Sequence, residues 1–162
     1  MTVAWTNAME YEKGDYTINE AYLDRVEEII NYALDNDMYV IINDHWDGSW
    51  WGMFGSSEQS DVDKAFEMYK SMWTQIANRY KKYSDRLIFE GANEELGDRL
   101  NDTDVCKNSG SLSKAECYEM ANKINQTFVD TVRATGGNNE QRFLLIAGDR
   151  KSTRLNSSHI TI

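Results

Sequence analysis

Apolar residues along this chain fall into two kinds of pattern. In three long segments they recur every three or four positions. Leu23, Val26, Ile30, Ala33 and Leu34 align over about 19–35, and Phe66, Tyr69, Trp73, Ile76 and Tyr80 over about 63–80. Cys117, Ala121, Ile124, Phe128 and Val132 align over about 113–135. That spacing returns side chains to one face of a 3.6-residue turn and predicts three amphipathic helices. Thr17-x-x-Glu20 and Ser113-x-x-Glu116 read as capping boxes opening the first and third. Gly136-Gly137 stops the third. Between the helices lie short, nearly continuous apolar runs, "MYVIIN" (38–43), "RLIFE" (86–90) and "RFLLIAG" (142–148). Runs of this kind fit strands buried on both faces, as in a parallel sheet covered by helices. "TVAW" (2–5) reads as the tail of one more strand.

The resulting order is β-α-β-α-β-α-β. Right-handed crossovers make that either a doubly wound sheet or part of a (β/α)8 barrel. Both folds keep their chemistry at the carboxyl ends of the strands. Those ends read Trp5-Thr6-Asn7, then Asp44-His45-Trp46-Asp47, then Asn93-Glu94. No G-x-G-x-x-G or G-x-x-x-x-G-K-[ST] occurs, so neither dinucleotide nor P-loop chemistry is signalled.

Glu94 is the leading catalytic candidate. A carboxyl at a strand end, walled by aromatic rings, can hold its proton near neutrality. Asn93 beside it can donate to a substrate hydroxyl, and Glu95 reads as a solvated neighbour. His45 leaves three readings open: catalysis, a substrate hydrogen bond, or a satisfied core histidine. Strand alternation sends Asp44 away from His45, and Glu90 is expected to point differently from Glu94. No H-E-x-x-H or similar ligand spacing supports a metal site. Trp46, Trp50, Trp51 and Phe54 fall in the Gly-rich loop "HWDGSWWGMFG" (45–55). Such rings either offer flat platforms to a sugar or plug the loop onto the core. Trp46 is the one expected to meet a ligand, and Trp5 shares the same rim.

Composition narrows the partners. A net charge of -10 argues against nucleic acid and anionic membranes, because phosphate binding needs a positive surface. No run approaches the length of a membrane helix, and no signal peptide is visible. A neutral substrate fits this charge, and no cofactor is called for. Cys106 and Cys117 either staple a Ser/Asn/Asp-rich loop, which would imply secretion, or stand as two structural thiols.

At these residues the sequence resembles the glycoside hydrolase family 5 cellulases. "VAWTN", "YVIINDHWDGSWWGMFGS", "MWTQIANRYKKYSDRLIFEGANEELG" and "RFLLIAG" carry the likeness over residues 1 to about 148, and the Asn-Glu after a strand is its most specific mark. The resemblance implies an α/β fold, a partial TIM (β/α)8 barrel from about the end of strand 2 through strand 5. It also implies retaining hydrolysis of β-1,4-linked glucans by a secreted enzyme, monomeric at full length. By the same likeness Glu94 is the general acid/base, and Asn93 bonds a sugar 2-hydroxyl. His45 and Trp46 bind substrate, with Trp5 beside them. Many members have Pro after the Asn-Glu, where this chain has Glu95. The family's nucleophilic glutamate follows its seventh strand and has no counterpart here, so the chain is expected to be an internal fragment. A mannanase or xylanase barrel and a non-catalytic carbohydrate-binding protein are the alternatives. Residues 149–162 lack apolar periodicity, turn abruptly basic, and resemble a translated sequencing adapter. They are expected to form a non-native, disordered tail.

Overall fold

The computed structural model describes residues 1–45, 47, 50–101 and 110–148, together with the backbone strand at 158–161. Four strands run parallel in chain order: β1 (Thr2–Val3), β2 (Val40–Asp44), β3 (Leu87–Glu90) and β4 (Leu144–Ala147). The register sets Asn43 beside Thr2 and Glu90, Ile42 beside Phe89, and Phe89 beside Leu144. Helices α1 (Glu20–Leu34), α2 (Gln59–Tyr80) and α3 (Lys114–Ala134) fill the connections.

Each helix buries the face its periodicity marked. Leu23, Val26 and Ile30 go inward from α1, and Cys117, Ala121, Ile124, Phe128 and Val132 from α3. On α2 the buried stripe widens to include Met68, Met72 and Ala77, because α2 packs against α3 and the 3₁₀ segment Trp50–Gly55 as well as the sheet. Trp73 makes the link, its ring centroid 5.8 Å from Phe89 and 4.6 Å from Phe128. The Ser113 capping box forms as read, with Ser113 N–H donating to Glu116 Oε2 at 2.7 Å and Glu116 N–H to Ser113 Oγ at 3.3 Å. Gly136 and Gly137 follow α3 with φ of 70° and 62°, a left-handed turn that suits glycine. The first capping box does not form. Asn19, directly before the helix, caps α1 through Ala21 N–H, while Thr17 N–H turns back to Asp15 Oδ1. Helix α2 starts four residues before the expected Asp63, at Gln59.

Val40, Ile42, Leu87, Phe89 and Leu144 face the helices and are buried. The opposite face is the one that lines the interior of a closed barrel. It is open here, with Ile41 39% exposed and Ile88 and Leu145 half-buried.

Arg142 closes the base of the sheet from within the core. Its guanidinium is 1% exposed and has no carboxylate partner in hydrogen-bond contact among the described residues. It donates instead to the carbonyls of Tyr80 (3.0 Å), Tyr83 (2.9 Å), Ser84 (2.9 Å) and Leu87 (2.5 Å), and to Asn139 Oδ1 (2.6 Å). Its plane lies over the Phe89 ring at 4.7 Å. One side chain thus joins the end of α2, the turn before β3, and β4. Burial, reinforced by nearby Arg133, pushes its pKa down to about 10, so it stays charged at neutral pH.

The chain's end departs from expectation. Residues Ser158–Thr161 form β5, antiparallel to β4, with Leu145 opposite Ile160 and Ile146 opposite His159. An uncovered edge of β4 presents unpaired N–H and C=O groups that an extended segment can satisfy, whatever its origin. The expectation of a structureless tail fails over these residues.

Candidate active site

Three strand ends meet at one rim. After β1, Thr6 N–H and Oγ1–H both donate to Asp47 Oδ1, at 2.8 and 2.6 Å, tying that end to the loop after β2. His45 N–H donates to Val3 O at 3.0 Å and extends the β1–β2 ladder by one residue. His45 is half-buried on the open face of the sheet, and Asp44 lies on the helix face, as alternation requires.

Asn43, two residues before His45, shares its face. The Asn43 amide donates to Glu90 Oε2 at 3.0 Å and stands 3.3 Å from His45 Nδ1. An amide nitrogen donates and does not accept, so this contact suits the imidazole tautomer that leaves Nδ1 as acceptor and turns Nε2–H toward the rim. Glu90 thus belongs to the face that carries His45. The period-2 rule applied to Asn43 and His45 would have found Asn43; that Glu90 joins them depends on the β2–β3 register.

The turn after β3 carries the residues that posed the question of function. Asn93 N–H donates to Glu95 Oε2 at 2.9 Å. That contact folds Glu95 back into the turn and half-buries it, so the expectation of a solvated Glu95 is corrected. Burial pushes its carboxyl pKa up, against the opposing pull of backbone N–H groups and His45. Asn93 is half-buried, and Glu94 is left exposed at the rim. Tyr69 of α2 holds the end of β3 by donating to Gly91 O at 2.8 Å. A Cβ on Gly91 would lie 2.8 Å from the Phe128 ring and 3.0 Å from the Tyr69 hydroxyl. Gly91→Ala should therefore push apart α2, α3 and the Asn93–Glu94 turn. A lowered midpoint in chemical denaturation, of about 1–3 kcal/mol, checks this.

The aromatic loop resolves toward the plug. Trp50, Trp51 and Phe54 are buried, with Trp50 stacked on Trp51 at 4.6 Å and the group packed on Tyr69 and Phe66. Trp5 needs a correction as a sugar-binding residue. It is 0% exposed, donates from Nε1 to Asn43 O at 3.1 Å, and packs edge-on against Tyr22. The chain after β1 turns immediately into a 3₁₀ segment, Trp5–Ala8, which rotates the indole into the core instead of over the rim. Trp46 and Cys106 lie outside the described residues, and with them the proposed sugar contact and the loop staple. Among the described residues no group of three His, Cys, Asp or Glu stands close enough to hold a metal ion. No described helix is long and apolar enough to cross a membrane.

Comparison with known proteins places this rim in context. The family model for cellulase (glycosyl hydrolase family 5) matches residues 1–160. The chain is 39% identical over 142 residues to Endoglucanase A of Ruminococcus albus, covering 88% of this chain and 36% of that protein. It is 37% identical over 160 residues to a xyloglucan-specific endo-beta-1,4-glucanase of Bacteroides ovatus, covering 99% of this chain and 30% of that one. Among solved structures, a glycoside hydrolase 5 lichenase mutant from a Caldicellulosiruptor species, complexed with cellotetraose, superposes with a TM-score of 0.74 at 39% identity. That superposition covers 91% of this chain and 38% of the lichenase. A GH5-4 broad specificity endoglucanase from Ruminococcus champanellensis with bound cellotriose gives 0.71 at 38% identity, covering 91% of this chain and 40% of that one. The chain spans about a third of the length of the curated relatives it matches. Its parallel strands, its rim and the family match over nearly its whole length agree: the chain belongs to glycosyl hydrolase family 5 and folds as part of that family's (β/α)8 barrel.

Proposed function

We propose that this chain carries the acid/base half of a retaining β-1,4-glucan hydrolase site. The observation that carries the reading is the exposure of Glu94 at the end of β3, on the rim where His45 ends the neighbouring strand. Glu94 is the general acid that protonates the leaving glycosidic oxygen and the base that later activates water. Asn93 bonds the 2-hydroxyl of the sugar. His45 donates from Nε2 to a hydroxyl of the same substrate, and Trp46 supplies an apolar face.

Retaining hydrolysis needs a second carboxylate about 5–5.5 Å from the first. Four further carboxylates near the rim are held by hydrogen bonds within the strand ends and their loops. Asp44 accepts from Trp51, Asp47 from Thr6, Glu90 from Asn43, and Glu95 from the Asn93 N–H. The nucleophile of this reading therefore comes from a later strand of a longer protein, and the 162-residue chain alone should hydrolyse no β-glucan. The cello-oligosaccharides bound in related structures and the names of the curated relatives support the choice of glucan.

The test is to express the full-length protein and the 162-residue chain side by side. Each is offered β-1,4-glucan, mannan and xylan, and the anomer first released is followed by NMR. Retention on glucan with an inert fragment is the expected result. Turnover of mannan or xylan alone would replace the substrate, and binding without turnover by the full-length protein would replace the enzyme reading.

A further inference from the structure

Two carboxyl groups are sealed inside the rim, and the hydrolytic reading uses neither. Asp44 is 0% exposed and Asp47 is 1% exposed. Each has one oxygen with a donor. Asp44 Oδ2 accepts from Trp51 Nε1 at 3.1 Å, and Asp47 Oδ1 accepts twice from Thr6. The other two oxygens, Asp44 Oδ1 and Asp47 Oδ2, are buried and receive no N–H or O–H from any described residue. The two side chains lie within hydrogen-bond reach of each other. If both were ionised, two buried oxygens would stay unsatisfied beside a like charge, and both the lost hydrogen bonds and the repulsion would count against the fold. A single proton removes both problems.

We propose that Asp44 and Asp47 share one proton, Asp44 donating through Oδ1 to Asp47 Oδ2, and that this carboxylic acid–carboxylate pair latches the loop after β2 to the end of β1. The pair carries one negative charge in place of two. It closes an unbroken chain of hydrogen bonds from the Trp51 indole through Asp44 and Asp47 to Thr6. His45 sits between the two acids in sequence, so the latch fixes the backbone from which its imidazole projects. Asp44 and Asp47 are positioning residues. The shared proton stands on burial and bonding alone, and only its bearing on substrate rests on the hydrolytic reading.

The surroundings favour the protonated form. Among the described residues, the titratable groups that act on Asp44 are Asp47 in its own loop, Glu95 after β3, Tyr22 from α1 and Tyr69 from α2, none of them cationic, while His45, next in sequence, lies on the opposite face of the strand. Burial raises the Asp44 pKa well above the usual aspartate range. Asp47 and then Glu95 add to the rise, and the Trp51 bond opposes it. A raised folded-state pKa gives a definite sign to the pH dependence. The folded chain keeps a proton that the unfolded chain releases near pH ~3.9. The latch's stabilisation is complete below that value and disappears as pH rises through the folded-state value.

The experiment uses the 162-residue chain with carbon-13 in its aspartate carboxyls, and thermal melts across the same pH series. The expected result is one buried carboxyl resonance, assigned to Asp44 by its loss in Asp44→Asn, that remains protonated well above the ordinary aspartate range. Asp44→Asn presents an amide N–H where the shared proton was. It should fold and lose the decline of melting temperature with rising pH. Asp47→Asn supplies an N–H to Asp44 Oδ1, and should move the Asp44 titration toward acid. An Asp44 resonance already ionised at mildly acidic pH would overturn the proposal. So would an Asp44→Asn chain whose melting temperature declines with pH as steeply as the parent's. Neither readout uses glucanase activity, so failure of the hydrolytic reading leaves this test intact, and the reverse holds.

Discussion

Replacing Glu94 by glutamine in a full-length protein that contains this chain should lower turnover of β-1,4-glucan by about 10²–10⁴-fold, with KM little changed. Glu94 is exposed in the turn after β3, and glutamine matches its size there. Glutamine keeps the shape and a hydrogen-bonding end but has no proton to give a leaving oxygen. The defect should therefore depend on the leaving group. An aryl glycoside, whose phenolate departs without help, should recover much of the rate of the first step. Glu95→Gln is the matching control. Its amide oxygen still accepts from Asn93 N–H, so the turn after β3 survives and turnover stays near that of the parent. A Glu94→Gln protein that hydrolyses glucan at the parental rate would remove Glu94 from the acid/base role.

Arg142→Met should destabilise the chain by about 4 kcal/mol or more. Methionine fills similar length and keeps apolar contact with Phe89, but it donates nothing. The carbonyls of Tyr80, Tyr83, Ser84 and Leu87 and the Asn139 amide oxygen would each lose a donor inside the core. Each orphaned buried group costs about 1–3 kcal/mol, and partial entry of water recovers some of that. A domain has only about 5–15 kcal/mol in total, so the variant should melt more than ~10 °C lower or fail to unfold cooperatively. Arg142→Lys should fare little better, since one ammonium cannot span acceptors on three separate segments. Circular-dichroism melts of both variants decide the matter, and a Met variant as stable as the parent would refute the role.

The contrast between these two residues shows what the sequence could reveal. The place of Glu94 at the rim was legible because its signal is local: an apolar strand followed within a few residues by Asn-Glu. The helices were legible for the same reason, since three- and four-residue spacing is written into neighbouring positions. Arg142 was not legible. It looks like an ordinary basic flank of a strand, and its acceptors are backbone carbonyls 55–62 residues away that any side chain could precede. Trp5 was misread because a strand's tail and a 3₁₀ segment share the same few residues, and only the segment turns the indole inward. Thr17 and Asn19 are both capping residues with suitable spacing, and the nearer one took the helix. Glu95 was misread because its place depends on a bond to a backbone N–H two residues back, which no side-chain pattern records.

The neighbour order β1-β2-β3-β4 has a consequence for how such a protein is made. Each parallel strand pairs with the one synthesised just before it, and each helix packs beside its own strands. Every unit leaving the ribosome thus finds its partners already translated. The layer between sheet and helices, built from Val40, Ile42, Leu87, Phe89 and Leu144, is complete without any later segment. Contacts near in sequence form early and at low entropic cost, so the nascent chain can settle this outer layer while synthesis continues. What it presents is a sheet whose open face, apolar at Ile41, Ile88 and Leu145 and polar toward the rim, is the one that lines the interior of a closed barrel.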